Sequence, residues 1–131
     1  PTRELALQTR DHLARVAEPL GYRVLCLYGG VSKGEQLRQM KEYVLPVHIV
    51  VGTPGRVLDL AREVSLDLGR VSYLTLDEAD RMLDKGFEPD IRAIIGMTRS
   101  HEEGRHTNMF SATWPPAVRG LAETFMRLQF V

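Results

Sequence analysis

Asp77-Glu78-Ala79-Asp80 follows directly on the apolar run Tyr73-Leu74-Thr75-Leu76, so two adjacent carboxylates emerge where a buried strand would end. Carboxylates in that place are costly unless they are solvated, paired or bound to a cation. Metal-assisted phosphoryl transfer uses this arrangement. One carboxylate holds Mg²⁺ through its water shell, and its neighbour orients and polarises an attacking water. The same residues also suit a plain helix start, because the helix dipole favours acidic side chains in a first turn. Taken by itself, the tetrad fits both readings.

Its surroundings add weight to the chemistry. Ser111-Ala112-Thr113 closes the next strand-like segment, about thirty residues after the tetrad. Alone it reads as a hydroxyl turn or a cap before Pro115. In the neighbouring strand-end loop, its two hydroxyls come within reach of an acidic side chain. Three further segments suit phosphate. Pro1-Thr2-Arg3-Glu4-Leu5-Ala6-Leu7-Gln8 runs from a loop into a helix that Thr2 can cap, leaving free amides and the Arg3 guanidinium for an oxygen ligand. Gly29-Gly30 lets a backbone approach without side-chain obstruction. Thr53-Pro54-Gly55-Arg56 is again a strand-to-helix loop with a hydroxyl and a guanidinium. Each is an ordinary turn or cap when read singly. Together on one sheet edge they form a track that grips a sugar-phosphate backbone without reading bases.

The elements that must position these residues alternate along the chain. Helical spacing of Ala6, Leu13, Val16, Ala17 and Leu20 predicts a helix from Arg3 to Leu20, stopped by Gly21. Val24 to Tyr28 reads as a buried strand, Ser32 to about Tyr43 as a one-faced helix closed by Pro46, and His48 to Gly52 as the next strand. A short helix follows from Gly55 to about Arg62, then the strand Tyr73 to Leu76. Helices are expected over Ala79 to Leu83 and Glu88 to Met97, a strand over Thr107 to Phe110, and a last helix entered through Pro115-Pro116, with Val118, Leu121, Ala122 and Phe125 on one face. Apolar strands separated by helices predict an α/β fold with a parallel sheet covered on both faces. In such sheets the chemistry sits on loops at the carboxyl ends of the strands, where every one of these motifs but the opening segment falls.

Bulk properties bound the rest. At 131 residues, 44% hydrophobic and 26% charged, the chain suits one ordinary globular domain. Lys+Arg and Asp+Glu are both 17, so net charge neither favours nor vetoes nucleic acid. The single cysteine, Cys26, excludes an internal disulfide framework and a cysteine zinc site, and its apolar surroundings make it a packing residue. His12, His48, His101 and His106 lack metal-like spacing. Trp114 suits packing beside Pro115-Pro116 better than base stacking, Ser100 to His106 reads as a solvated charged loop, and Leu58, Leu60 and Met82 are core candidates. No run approaches the roughly 18 apolar residues of a membrane span and no signal peptide is present, so an intracellular setting without a membrane partner is expected.

In order and approximate spacing, Pro-Thr-Arg-Glu-Leu-Ala-x-Gln, Gly-Gly, Thr-Pro-Gly-Arg, Asp-Glu-Ala-Asp and Ser-Ala-Thr resemble motifs Ia, GG, Ib, II and III of the DEAD-box RNA helicases. The resemblance extends through Arg81-Met82-Leu83-Asp84 and Gly86-Phe87-Glu88 and covers essentially the whole chain. It implies a RecA-like α/β fold of the P-loop NTPase type, ATP with Mg²⁺ as cofactors, and RNA-stimulated ATP hydrolysis coupled to RNA duplex unwinding or remodelling. Asp77 would hold the ATP-bound Mg²⁺ and Glu78 would orient or activate the hydrolytic water. Asp80 would bond Ser111 or Thr113, linking the nucleotide site to RNA-bound conformations. Pro1, Thr2, Arg3, Gly29, Gly30, Thr53, Pro54, Gly55 and Arg56 would line the RNA-backbone track. Asp rather than His at position 80 points to the DEAD group rather than its DEAH relatives. Phe110-Ser111-Ala112-Thr113-Trp114-Pro115 and Tyr28-Gly29-Gly30 look nearest to fungal nucleolar helicases of large-ribosomal-subunit biogenesis, implying a nuclear or nucleolar setting and pre-ribosomal assembly partners.

The family's phosphate loop, Gly-x-x-x-x-Gly-Lys-Thr/Ser, is absent from these residues, as are its adenine reader and its second RecA-like domain. Residues 1–131 therefore read as part of the family's first RecA-like domain, with the second domain as an intramolecular partner and little ATPase activity expected from this piece alone. The apolar edge beside the Ser111-Ala112-Thr113 strand is expected to make the isolated chain marginal or oligomeric. Two rival readings are a non-enzymatic RNA-backbone-binding or assembly module and a DNA-directed relative of the same superfamily.

Overall fold

A computed structural model describes residues 2–42, 46–63 and 66–126. They form two compact units, Pro1–Ser65 and Leu66–Val131. In the first unit, helix α1 (Arg3–Ala17) is capped by Thr2, whose hydroxyl accepts from the Leu5 amide at 3.3 Å. A 3₁₀ turn (Glu18–Leu20) extends it and ends at Gly21, whose φ of 85° is the left-handed conformation that favours glycine. Strand β1 (Val24–Leu27) is buried on both faces, as its unbroken apolar run requires. Helix α2 (Lys33–Glu42), strand β2 (Ile49–Gly52) and helix α3 (Pro54–Arg62) follow. β1 and β2 pair in parallel with Leu27 opposite Gly52, so their carboxyl ends lie side by side. Val57, Leu58 and Leu60 of α3 are buried with Leu25 and Leu27. Burial pushes the Cys26 thiol up, in keeping with a packing role.

The second unit contains strand β3 (Tyr73–Leu76), helices α4 (Ala79–Asp84) and α5 (Glu88–Met97), strand β4 (His106–Met109) and helix α6 (Pro116–Phe125). β3 and β4 are also parallel, with Leu76 opposite Met109. Leu76, Ala79, Met82, Ile91, Ile95, Val118 and Leu121 form its core. Burying each large aliphatic side chain contributes about 1.5–3 kcal/mol.

Most expected elements stand within a residue or two of their places, and among the described residues both strand pairings are parallel. Tyr43, the expected end of the second helix, lies outside the described residues. Among the described residues the strands pair two by two, β1 with β2 and β3 with β4, each pair within its own unit. Three expectations need correction. Val16 and Leu20, expected on the buried face of the first helix, are 68% and 69% exposed, because Ala6 and Ala17 meet the core instead. Trp114 keeps 47% of its surface exposed, so packing beside Pro115-Pro116 covers it only in part. Arg105, placed in a solvated loop by its charged neighbours, is 5% exposed.

Candidate functional site

The acidic tetrad is shaped by the junction of β3 and β4. The Phe110 amide donates to the Leu76 carbonyl (2.8 Å) and the Ala79 amide to the Phe110 carbonyl (3.0 Å), which clamps the two strand ends together. Asp77 leaves β3 exposed, and its Oδ1 accepts from the Glu78 amide at 2.9 Å. Glu78 sits at φ 52°, ψ 47°, the only left-handed non-glycine residue among those described. For an L-residue this conformation costs roughly 1–2 kcal/mol, and such strain clusters at functional positions. Glu78 stands between Asp77, which is exposed, and Asp80, whose carboxylate is bonded to Thr113. The Glu78 carboxylate lies 3.7 Å from the Arg81 guanidinium.

Asp80 is the hub of the site. Its Oδ2 accepts from the Thr113 hydroxyl (2.8 Å) and the Thr113 amide (3.2 Å), while Oδ1 accepts from the Arg81 amide (3.0 Å). Its own amide donates to Ser111 Oγ (3.2 Å), and the Ser111 hydroxyl donates to the Thr113 carbonyl (2.6 Å). The bond from the Thr113 hydroxyl, with those from Arg81, Ser111 and the Thr113 amide, holds the Asp80 carboxyl below the usual carboxylate range despite partial desolvation. The ionised form is thus the one this arrangement holds. Sequence left open whether Ser111 or Thr113 would meet Asp80; the two divide the task, one taking the amide and the other the carboxylate.

The first unit gathers another set of predicted residues at the carboxyl ends of β1 and β2. Tyr28-Gly29-Gly30 continues from β1, and the Arg3 guanidinium lies over the Tyr28 ring, 5.0 Å from its centre. Gly30 has φ 83°, and a β-carbon there would sit 3.9 Å from Arg3 Nη1, so Arg3 reaches the glycine turn itself. Thr53 and Pro54 open α3 directly after β2, and the Thr53 amide donates to the Leu27 carbonyl at 2.9 Å. The Thr53 hydroxyl makes no capping bond. Gly55 leaves open space where a β-carbon would stand. Thr2, by contrast, spends its hydroxyl on the helix cap, and Pro1 lies outside the described residues. Arg56 is turned inward, donating to Gln36 Oε1 (2.7 Å) and the Val31 carbonyl (3.1 Å).

Sequence reasoning passed over Tyr28 as a site residue, Gln36 and Arg105. Gln36 is one helical turn from Met40, a spacing that marks it as facing inward. For Arg105 no local signal exists. Its guanidinium donates to the carbonyls of Arg99 (2.8 Å) and Phe125 (3.2 Å) and to the Thr98 hydroxyl (3.1 Å), groups scattered along the chain.

A parallel α/β frame thus carries acidic residues at one strand end, tied to hydroxyls at the next. The chain belongs to the DEAD/DEAH box helicase family, whose model matches residues 1–121. It is 71% identical over 126 residues to an ATP-dependent RNA helicase DBP3 of Mycosarcoma maydis and 57% identical over 126 residues to that of Cryptococcus neoformans. Each alignment covers 96% of this chain but only 21% and 20% of those relatives, so the chain spans about one fifth of their length. The crystal structure of a hypothetical ATP-dependent RNA helicase from Sulfolobus tokodaii superposes with a TM-score of 0.86 at 33% identity, over 99% of this chain and 37% of that one. The α/β, RecA-like fold class follows from that likeness together with the parallel strand pairing.

Proposed function

We propose that the protein containing these residues is an RNA-stimulated ATPase of the DEAD-box type, which couples ATP hydrolysis to gripping and remodelling RNA. The carrying observation is the Asp80–Thr113 bond, which ties the acidic turn to the Ser-Ala-Thr loop. Glu78 is the residue that orients the attacking water, and its left-handed backbone fixes where that carboxylate leaves the turn. Among the described residues no three acidic, histidine or cysteine side chains gather as a metal cage. That fits Mg²⁺, which one or two carboxylates hold together with substrate phosphates and water. Asp77, exposed at the strand end, is the residue that would hold it. When bound with ATP, the ion neutralises phosphate charge.

The edge formed by Arg3, Gly29, Gly30, Thr53 and Gly55 supports the RNA half of this reading. It offers a guanidinium, a hydroxyl and unobstructed backbone in one place, which suits phosphates rather than base edges. A second RecA-like domain in the same protein, pre-ribosomal partners and a nuclear or nucleolar setting belong to the same proposal. The last two rest on the resemblance of Tyr28-Gly29-Gly30 and Phe110 to Pro115 to the fungal ribosome-assembly helicases. A fluorescent fusion that stays out of the nucleus would argue against that setting.

The test of the enzymatic reading is Glu78→Gln in the full-length protein. RNA-stimulated ATP hydrolysis should be abolished while nucleotide binding persists, measured by phosphate release and by titration with a fluorescent ATP analogue. Undiminished turnover would sink the assignment.

A further inference from the structure

Arg56 turns its side chain into the first unit, and the partner that holds it there is buried. Gln36, on the second turn of α2, is only 2% exposed, yet it presents its amide oxygen to Arg56 Nη1 at 2.7 Å. A guanidinium only donates, so this contact requires the oxygen of Gln36, not its nitrogen, to face Arg56. The other arm of the fork, Nη2, donates to the Val31 carbonyl at 3.1 Å, immediately after the Gly29-Gly30 turn. One planar group thus ties three segments: the start of α3, the turn that follows β1, and α2. Two bonds from a rigid fork define a direction as well as a distance. The ammonium of Lys33 makes a second tie between α2 and α3 through Asp59 (3.0 Å) and Glu63, but it lies towards the far end of α3 from Thr53 and Gly55.

We infer that Gln36 is a positioning residue: by fixing Arg56, it holds the Gly29–Val31 turn and the Thr53–Gly55 loop in the mutual geometry that meets an RNA backbone, without touching RNA itself. The inference rests on the reading of this edge as an RNA track. An aliphatic side chain of similar length would fill the same space but leave the guanidinium without its partner.

The test uses the full-length protein with Gln36→Met, Gln36→Glu, Arg56→Lys, Arg56→Ala and Arg3→Ala, read by backbone hydrogen exchange over residues 29–32 and by affinity for a labelled single-stranded RNA of mixed sequence. Gln36→Met should raise exchange in the turn and weaken RNA binding about tenfold, the scale of one lost charge-assisted hydrogen bond. Gln36→Glu keeps an acceptor and should restore both. Gln36→Met combined with Arg56→Ala should bind no more weakly than Arg56→Ala alone, because the two act through one contact. Arg56→Lys retains the charge but cannot reach both partners. It should raise exchange as Gln36→Met does, and it serves if the Met variant fails to fold. Unchanged exchange in Gln36→Met and Arg56→Lys would overturn the positioning role, whatever the RNA affinity. Raised exchange with unweakened RNA binding by both Arg3→Ala and Arg56→Ala would instead overturn the RNA reading, and with it the functional half of the inference.

Discussion

At the scale of single residues, Asp80 separates two roles that the tetrad's composition blurs. Asp77 and Glu78 stand at the open end of β3, whereas Asp80 turns back into the Ser111–Thr113 loop. The hydrogen bonds it accepts favour the ionised carboxyl, so their contribution is complete above the ordinary carboxylate range. It is lost as pH falls through the lowered value of the folded state. Thr113→Val removes the largest cause of that lowering. The Asp80 titration, followed by carboxyl-carbon NMR in the two proteins, should therefore move upward in the variant, and the acid limb of stability should begin at higher pH. An unmoved titration would show that the Thr113 hydroxyl is not a significant partner in solution. Adjacent acidic letters in a sequence say nothing of which carboxylate will be claimed by a neighbour. The Ser111–Thr113 loop decides it by taking up Asp80.

Elements are locked by two contacts that no motif contains. Gly52 ends β2 where a β-carbon would collide with Val57 Cγ2 and stand 2.7 Å from the Leu27 carbonyl oxygen. That same oxygen accepts from the Thr53 amide, so the Leu27 carbonyl cannot give way without breaking that bond. Gly52→Ala should destabilise the protein by about 1–3 kcal/mol, the usual cost of overpacking a rigid site, measured by urea unfolding. A neutral result would mean the β2–α3 turn is looser than it stands. Arg105 is the counterpart in the second unit. Burial lowers its guanidinium against the charge of Glu102, and its bonds close carbonyls at the ends of α5 and α6. Arg105→Leu should cost roughly 2–4 kcal/mol by leaving those carbonyls unsatisfied. Arg105→Lys should rescue little, since an ammonium cannot reproduce the planar fork. Equal stability of the Leu variant would place the network on the surface in solution.

Across these residues as a whole, charge is balanced at 17 basic and 17 acidic, so net charge neither favours nor vetoes RNA. Local contacts then matter, and the salt dependence of binding counts them. Arg3→Ala should weaken binding and reduce the slope of log K against log salt by about 0.7, the value for one phosphate contact on a single strand. An unchanged slope would move Arg3 out of the track and leave its stacking on Tyr28 as its only task.

The alternation of apolar runs and helical spacing was legible throughout, because secondary structure follows from local periodicity. Hence β3 and α5 fall on their expected residues, and Thr2 caps α1 as its position implies. The family was legible as well, since five short motifs, each weak alone, occur in its order and approximate spacing. Other features required the tertiary structure, for a common physical reason: they depend on groups distant in sequence. The division of Asp80 between Ser111 and Thr113, the inward turn of Arg56 onto Gln36, the burial of Arg105 and the exposure of Val16 and Leu20 are all of this kind. By itself, the sequence determined which residues stand at strand ends and what chemistry their types allow. Only the folded chain decided which of those side chains face outward for a ligand and which are engaged in holding the others in place, because burial and hydrogen-bond partners are set by segments far apart along the chain.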